Sequence, residues 1–231
     1  MKLNLSGELI PSDWAEVYRK YGYTSGFYCP DDVRNAINSL EPEEELLLEV
    51  NSIGGSVFGG NEIYALLESC PNPTRAVIQS MAASAASYMI MPCDRIEIHL
   101  PAQLMIHRAS TCAWGNSEDL QQARQMLDVT DASILDTYCL RCGDRISREE
   151  LAAMMENETY IGSYDALRYG LVDSIVGSEP NSQNGLLVAS AFNNTVKAMR
   201  TLPDIQELMQ ADKNESDRLR QELENEKNKF I

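Results

Sequence analysis

The serine-rich stretch IQSMAASAASYMIM, residues 78–91, holds the hydroxyl groups that could act as a nucleophile in this sequence. Its alanines and large apolar residues otherwise indicate a buried helix. A preceding strand, TRAVIQ, is expected to turn into that helix at residues 80–82. Ser84 would then lie in the first turn, where free N–H groups and the helix dipole stabilise a developing oxyanion. Ser80 would cap the helix and Ser87 would lie one turn deeper, while simple small-residue packing is the alternative interpretation of Ser84.

A serine nucleophile with a histidine base would have to use one of only two histidines, His99 or His107. His99 lies in the alternating run RIEIHL, on the opposite face from the isoleucines. His107 ends the apolar run QLMIH, where a strand gives way to a loop. Strand ends are where α/β sheets present catalytic groups, so His107 is the predicted base. A structural hydrogen-bonding role is the alternative for either residue.

The segment NSIGGSV, residues 51–57, follows a strong apolar strand and precedes a helix. Gly54 and Gly55 therefore lie at a strand-to-helix turn, where positive φ angles are available to glycine. A peptide substrate could come close there, and a backbone N–H could point at its carbonyl oxygen. An ordinary turn is the alternative, and the phosphate-loop patterns GxGxxG and GxxxxGK[ST] do not match this segment.

The elements that must position these residues alternate between short β-rich runs and helical patterns, which predicts an α/β fold. KLNLSGEL, ELLLEVNS, TRAVIQ, RIEIHL and QLMIH are predicted strands. PDDVRNAINSL and NEIYALLESC are predicted helices, and a long helix is expected from about residue 116 to 142, ending at Gly143. A capping box from Ser147 to Glu150 begins the next helix, and YDALRYGLVDSIV predicts a short helix, a glycine stop and a last strand.

We expect a core domain over residues 1–176, a linker over 177–202 and a charged helical tail over 203–231. The linker begins with GSEPNSQNG, which is rich in Gly, Pro, Ser and Asn and has no periodicity. The tail has apolar residues in rough heptad positions, and a single solvated helix or a coiled coil fits it equally well. The segment LLVASAFNN, residues 186–194, is an accessible candidate for self-cleavage.

Composition excludes several function classes. The formal charge of -16 argues against nucleic acid or an anionic membrane as the partner. No apolar run is long enough to span a membrane or act as a signal peptide, so a cytoplasmic protein is expected. The six cysteines are expected to be reduced thiols, and the single CxxC of Cys139 and Cys142 has no second ligand pair. We assign no metal and no cofactor.

Four blocks in register, NSIGGSV, SMAAS, LMIH and YGLVDSI, resemble the Clp protease proteolytic subunit family, peptidase S14. The resemblance covers roughly residues 45–176. It implies a serine peptidase on the repeated ββα spiral fold that Clp proteases share with crotonases. It further implies Ser84 as nucleophile, His107 as base, and the N–H groups of Gly55 and Ala85 as the oxyanion hole, with Gly54 at the substrate.

The acid of the triad is assigned less directly. The position where the family usually has its aspartate falls on Glu158, two residues before Tyr160. Glutamate can orient and charge-balance an imidazole as aspartate does, with one more methylene group to place. Glu156 and Asn157 are the neighbouring alternatives.

Further departures resemble the phage branch of the family, the Clp-related head maturation proteases. Besides Glu158, these are an N-terminal insert, IPSDWAEVYRKYGYTSGFYCPDD, and the charged tail. Ile53 also replaces the family's usual proline, and Ser80 a glycine, but neither change removes a reacting group. In that branch the substrates are scaffold and capsid precursors inside a prohead.

There are three alternatives to this role: a housekeeping subunit fed by a separate ATPase, an enzyme with crotonase-like chemistry, and an inactive scaffold protein.

The resemblance implies a homo-oligomeric ring that acts on polypeptide substrates. The long helix is accordingly expected to pack against its counterpart in another subunit, because its apolar content exceeds what a monomer surface should expose. The residues concerned are Leu120, Met126, Leu127, Ile134 and Leu135.

Overall fold

A single sheet organises the chain. The computed structural model describes residues 1–177 and Gln210. Eight strands are found among these residues: β1 (Lys2–Leu9), β2 (Phe27–Tyr28), β3 (Leu46–Gly55), β4 (Thr74–Ala83), β5 (Arg95–Ile98), β6 (Gln103–Ile106), β7 (Thr159–Gly162) and β8 (Ser174–Ile175). The path β2-β1-β3-β4-β5-β8 is parallel at every pairing, and β7 runs antiparallel to β6. The predicted α/β class is confirmed.

Helices connect these strands, as parallel pairing requires. Their bounds are α1 (Ser12–Lys20), α2 (Pro30–Asn38), α3 (Val57–Glu68), α4 (Ala85–Tyr88), α5 (Ser117–Cys142), α6 (Arg148–Glu156) and α7 (Ser163–Tyr169). A 3₁₀ turn, Gly143–Arg145, follows α5. The predicted capping box is present at α6, where Ser147 and Glu150 each accept a hydrogen bond from the other's backbone N–H. At the end of α7, Gly170 adopts a left-handed conformation and stops the helix, as predicted.

Strand β4 has two different partners along one of its edges. Its residues 75–78 pair with β5, whereas residues 81–83 pair with β6. Strands β5 and β6 therefore diverge from a common edge, and the end of β6 lies level with the end of β4. This divergence brings together the two segments that carry the predicted nucleophile and base.

The hydrophobic core lies against the sheet, and β3 shows how the sequence specifies it. Its residues alternate between buried and half-buried along the strand, the period that a sheet with one fully buried face requires. The buried set packs with apolar residues of α3 and with the small residues of α4. Members of this cluster include Leu46, Leu48, Val50, Ile63, Leu67, Ala85 and Ala86.

In the serine-rich stretch, three predictions were wrong: the cap of the helix, the place of Ser84 and the length of the helix. Strand β4 continues to Ala83, so Ser80 is an exposed strand residue rather than the helix cap. Ser84 itself occupies the N-cap position, not the first turn. The helix that follows has only four residues instead of spanning most of 78–91. Small alanines permit either state, and pairing with β6 favours the strand because it adds ladder hydrogen bonds to residues 81–83.

Helix α5 has a buried face and also carries exposed apolar residues. It begins at the N-cap Asn116, which accepts hydrogen bonds from two backbone N–H groups, and ends at Gly143. Its buried residues are Asp131, Ile134, Tyr138 and Cys142. Its exposed large apolar residues are Leu120, Met126, Val129 and Leu140. Of the side chains expected to face another subunit, Ile134 instead packs into the core of its own chain.

The remaining sequence expectations concern the C-terminal region and the cysteines. Apart from residue 177 and Gln210, the predicted linker and tail lie outside the described residues, as does the segment 186–194. All six cysteines fall within residues 1–177, and each is a free thiol. The same part of the chain contains no cluster of three or more potential metal ligands. None of its helices combines the length and the apolar character needed to cross a membrane.

Candidate active site

Ser84 lies on a strained turn between β4 and α4. Its φ of 55° and ψ of -128° belong to a region that non-glycine residues rarely adopt. Strain of this kind costs on the order of 1–3 kcal/mol and persists only where surrounding contacts hold it. Three hydrogen bonds do so: the Ser84 N–H donates to the Met105 carbonyl at 2.9 Å, and the Ser84 carbonyl accepts from the Ser87 N–H at 2.9 Å and from the Ser87 hydroxyl at 2.6 Å. The turn leaves the Ser84 side chain half-buried at the sheet edge.

His107 is the first residue after β6, and its Nε2 lies 2.7 Å from Ser84 Oγ. The register explains the proximity, because Ala83 pairs with Met105 and the two strands end side by side. An Nε2 that accepts the serine proton requires the other ring nitrogen, Nδ1, to carry the hydrogen. The structure thus joins the predicted nucleophile and base in hydrogen-bonding distance. His99, the other histidine, follows β5 instead.

Gly54 and Gly55 end β3 beside this turn, and both have positive φ, at 87° and 144°. A Cβ at Gly54 would lie 2.7 Å from Ser84 Cβ, and one at Gly55 would lie 2.1 Å from the Leu9 carbonyl oxygen. Both distances are far inside van der Waals contact. The chain's own backbone therefore requires glycine at both positions, whether or not a substrate also approaches there.

Ala85 supplies a backbone donor next to the nucleophile. It is the first residue of α4, and its N–H has no hydrogen-bond partner within residues 1–177. The N–H groups of a first helical turn lack intrahelical acceptors, so such a donor is open to an incoming oxygen. Gly55, at the end of the adjacent strand, is an exposed residue on the same edge. These are the two residues predicted to supply an oxyanion hole.

Glu158 directly precedes β7, at the end of the sheet where His107 follows β6. Strand β7 pairs with β6 so that Thr159 is opposite Ile106, which puts residue 158 opposite residue 107 one step further along. Glu158 has a φ of 47° and is exposed. In the described part of the chain, no hydrogen bond or ion pair joins its carboxylate to His107. Its neighbours Glu156 and Asn157 are also exposed, and the Asn157 amide donates to the Ala153 carbonyl.

The sequence did not reveal the support that α5 gives to the nucleophile turn. Ser87 is fully buried, and its Oγ lies 2.6 Å from the Tyr138 hydroxyl. Because the single Ser87 proton is already donated to the Ser84 carbonyl, Tyr138 must be the donor of this bond. Burial raises the pKa of Tyr138 well above its usual value, so the phenol stays protonated. The sequence signal for this contact was the spacing of Tyr138 four residues after Ile134, which places both side chains on the same face of the helix.

Comparison with known proteins agrees with this geometry. The family model described as Clp protease matches residues 35–179. The ATP-dependent Clp protease proteolytic subunit of Deinococcus radiodurans is 30% identical over 152 residues, which cover 64% of this chain and 73% of that protein. The chain belongs to the Clp protease family. Membership in this family implies a serine peptidase, and therefore a hydrolase.

Proposed function

We propose that this chain is a serine endopeptidase in which Ser84 is the nucleophile and His107 is the general base. The observation that carries the proposal is the 2.7 Å contact between His107 Nε2 and Ser84 Oγ at a strained strand-to-helix turn. A serine hydroxyl is a weak nucleophile by itself, and an adjacent imidazole activates it. Family membership supports the same reaction class.

In the proposed reaction, Ser84 Oγ attacks the scissile carbonyl carbon while His107 Nε2 takes the hydroxyl proton. The carbonyl oxygen becomes an oxyanion, to which the N–H groups of Gly55 and Ala85 would donate. Collapse of this intermediate breaks the C–N bond, and the imidazolium returns its proton to the leaving amine. A water molecule, activated by His107 in turn, then hydrolyses the acyl-enzyme and regenerates Ser84. Gly54 would lie alongside the substrate backbone.

Glu158 is the proposed acid of the triad. Its place one step beyond the Ile106–Thr159 pair, level with His107, supports this role, although no hydrogen bond or ion pair joins these two described residues. An exposed glutamate has several staggered rotamers available, so its side chain can reach a neighbour without movement of the backbone. A carboxylate at Nδ1 would hold the required tautomer and stabilise the imidazolium.

For the biological role we propose cleavage of scaffold and capsid precursors during phage head maturation. A glutamate at the acid position and the N-terminal segment that folds into α1 and β2 support this placement. The charged tail, residues 203–231, would extend the protease toward scaffold partners. The alternative is a housekeeping subunit that works with a separate Clp ATPase, and the proteolytic subunit of Deinococcus radiodurans, itself described as ATP-dependent, favours it equally. An inactive scaffold protein is the non-enzymatic alternative.

We further propose that the chain assembles into a homo-oligomeric ring. The exposed apolar residues of α5 support this assembly, because several large apolar side chains exposed on one helix are typical of an interaction surface. A ring would enclose the active sites and restrict them to polypeptides that enter the chamber.

Two measurements test these proposals. A fluorophosphonate probe should label the wild-type chain on Ser84, and absence of labelling would refute the peptidase. The biological role requires a substrate test, in which the purified protein is incubated with capsid and scaffold precursors and the products are analysed by mass spectrometry. Defined cleavage without ATP supports head maturation, whereas cleavage that needs a co-purifying ATPase supports the housekeeping alternative.

A further inference from the structure

The loop that follows His107 has one main-chain anchor. Residues 107–110 lack regular secondary structure, and α5 begins only at Ser117. Among the backbone N–H groups of residues 108–115, that of Ala109 is the one with a hydrogen bond in the described structure. Its acceptor is the Asp131 side chain, at an N···Oδ1 distance of 2.7 Å.

Asp131 is placed to hold this loop firmly. It is buried on a helix, in line with Ile134 and Tyr138 on the face that packs into the core. Both of its carboxylate oxygens are occupied, because Oδ2 accepts a 2.7 Å hydrogen bond from Arg108 Nε. Buried carboxylates require such pairing. The Asp131 hydrogen bond is the main reason that the pKa of Arg108 is raised, so the guanidinium remains a charged partner.

These contacts complete the restraint on His107. Pairing of β6 with β4 and β7 fixes the chain on its N-terminal side. Asp131 fixes the chain two residues later, on its C-terminal side. We propose that Asp131 is a positioning residue for His107, which acts by holding the Ala109 N–H and thereby keeps the imidazole in line with Ser84 Oγ. The inference rests on the proposed serine peptidase chemistry.

The expected effect of Asp131→Ala is a 10- to 100-fold loss of kcat and of the rate of fluorophosphonate labelling, because a displacement of about 1 Å in a reacting group can cost about 100-fold. Water can satisfy the freed N–H but cannot hold the loop in place. The KM for a short peptide should change less than about twofold, since Asp131 acts on the base and not on the substrate. Labelling is measured where circular dichroism shows the variant to be folded.

Three variants separate positioning from a general loss of charge or stability. Asp131→Asn keeps a side-chain oxygen for the Ala109 N–H, so it should restore most of the labelling rate. Asp128→Asn is the matched control, because Asp128 also pairs with Arg108, at 3.5 Å, but binds no main-chain group. Arg108→Met removes the ion pair and leaves the Ala109 contact. Both Asp128→Asn and Arg108→Met should label within about threefold of the wild type, because each leaves the hydrogen bond from the Ala109 N–H to Asp131 in place. The Arg108–Asp128 pair is in addition exposed, and such pairs contribute little.

The possible results are distinguishable. Slow labelling of folded Asp131→Ala with recovery in Asp131→Asn supports the inference. Wild-type labelling by Asp131→Ala overturns it while the proposed function stands. If Asp131→Ala does not fold, the labelling rates of Asp131→Asn and Arg108→Met are compared instead. A greater loss of labelling in Arg108→Met than in Asp131→Asn would assign the effect to the ion pair and overturn the inference. Absence of labelling in the wild type would overturn the proposed function, and this inference with it.

Discussion

Replacement of Ser84 by alanine should abolish peptidase activity and leave stability almost unchanged. The substitution removes the side-chain hydrogen bond between Ser84 and His107, and the hydroxyl is half-buried. Net contributions of such bonds are about 0.5–1.5 kcal/mol, and water can replace this partner. Alanine experiences the same strain at a φ of 55° as serine does, because both carry a Cβ. The rate of peptide hydrolysis should fall by a factor on the order of 10³ to 10⁶.

Ser87, three residues along, is expected to show the opposite behaviour. Ser87→Ala removes a buried hydroxyl that bridges the Ser84 carbonyl and the Tyr138 phenol. The Tyr138 O–H is then left without an acceptor in the core, which costs roughly 1–3 kcal/mol. Ser84 and His107 are both retained, and the Ser87 N–H still donates to the Ser84 carbonyl at 2.9 Å, so most of the activity of the folded protein should remain. The pair of variants thus separates catalysis from stability within one turn of chain.

The assay combines urea denaturation with labelling of folded protein by a fluorophosphonate probe. Ser84→Ala should keep the wild-type urea midpoint and lose labelling, whereas Ser87→Ala should have a lower midpoint and label readily. The reverse pattern, in which folded Ser87→Ala is not labelled and Ser84→Ala still is, would refute the assignment of Ser84 as nucleophile. A large loss of stability in Ser84→Ala would also show that the turn is held differently from the way described.

His107→Ala should reduce hydrolysis to the level of the serine variant, because triad members act as a unit, and a substantially active His107→Ala would exclude it as base. Glu158→Gln should lose less activity, since it keeps the shape and removes the charge; a silent Glu158→Gln would contradict its assignment. Sedimentation of the full chain should show an oligomer rather than a 25.8 kDa monomer. Leu140→Glu on the exposed face of α5 should weaken that oligomer, and unchanged sedimentation would place the interface elsewhere. A chain that lacks residues 178–231 should still be labelled by the probe, and loss of labelling on truncation would contradict the proposed domain boundary.

Regular elements were predictable wherever a local pattern determines them. The long helix α5 has a capping residue at its start and glycine at its end, and both signals are local in sequence. The end of β4 was not predictable, because the residues around Ser84 are small and permit several conformations. Pairing of residues 81–83 with β6 decides in favour of a strand, and that contact joins segments about twenty residues apart. Tertiary context overrides local propensity in such cases.

The site shows the same division between local and distant causes. Turn glycines, a strand-end histidine and the order of four blocks were enough to select Ser84 and His107. Asp131 was not selected, because an aspartate in a charged helix is usually exposed. Its proposed positioning role depends on a contact between α5 and the loop after His107, which only the folded chain shows. The position of the Glu158 carboxylate depends on the side-chain rotamer, and at an exposed position the sequence does not specify the rotamer.

The two reacting side chains are brought together by backbone pairing more than by their own rotamers. The N–H of Ser84 binds β6, which ends at Ile106 just before His107, so one hydrogen bond both holds the strained turn and sets its distance from His107. Strain at Ser84 and the geometry of His107 are consequently coupled. A substitution that weakens the β4–β6 pairing should relax the turn and separate the pair in the same event. If Ser84 and His107 react as proposed, this coupling gives a reason for the hydrogen bonds by which α5 holds the chain beyond each of them, through Tyr138 on Ser87 and through Asp131 on Ala109.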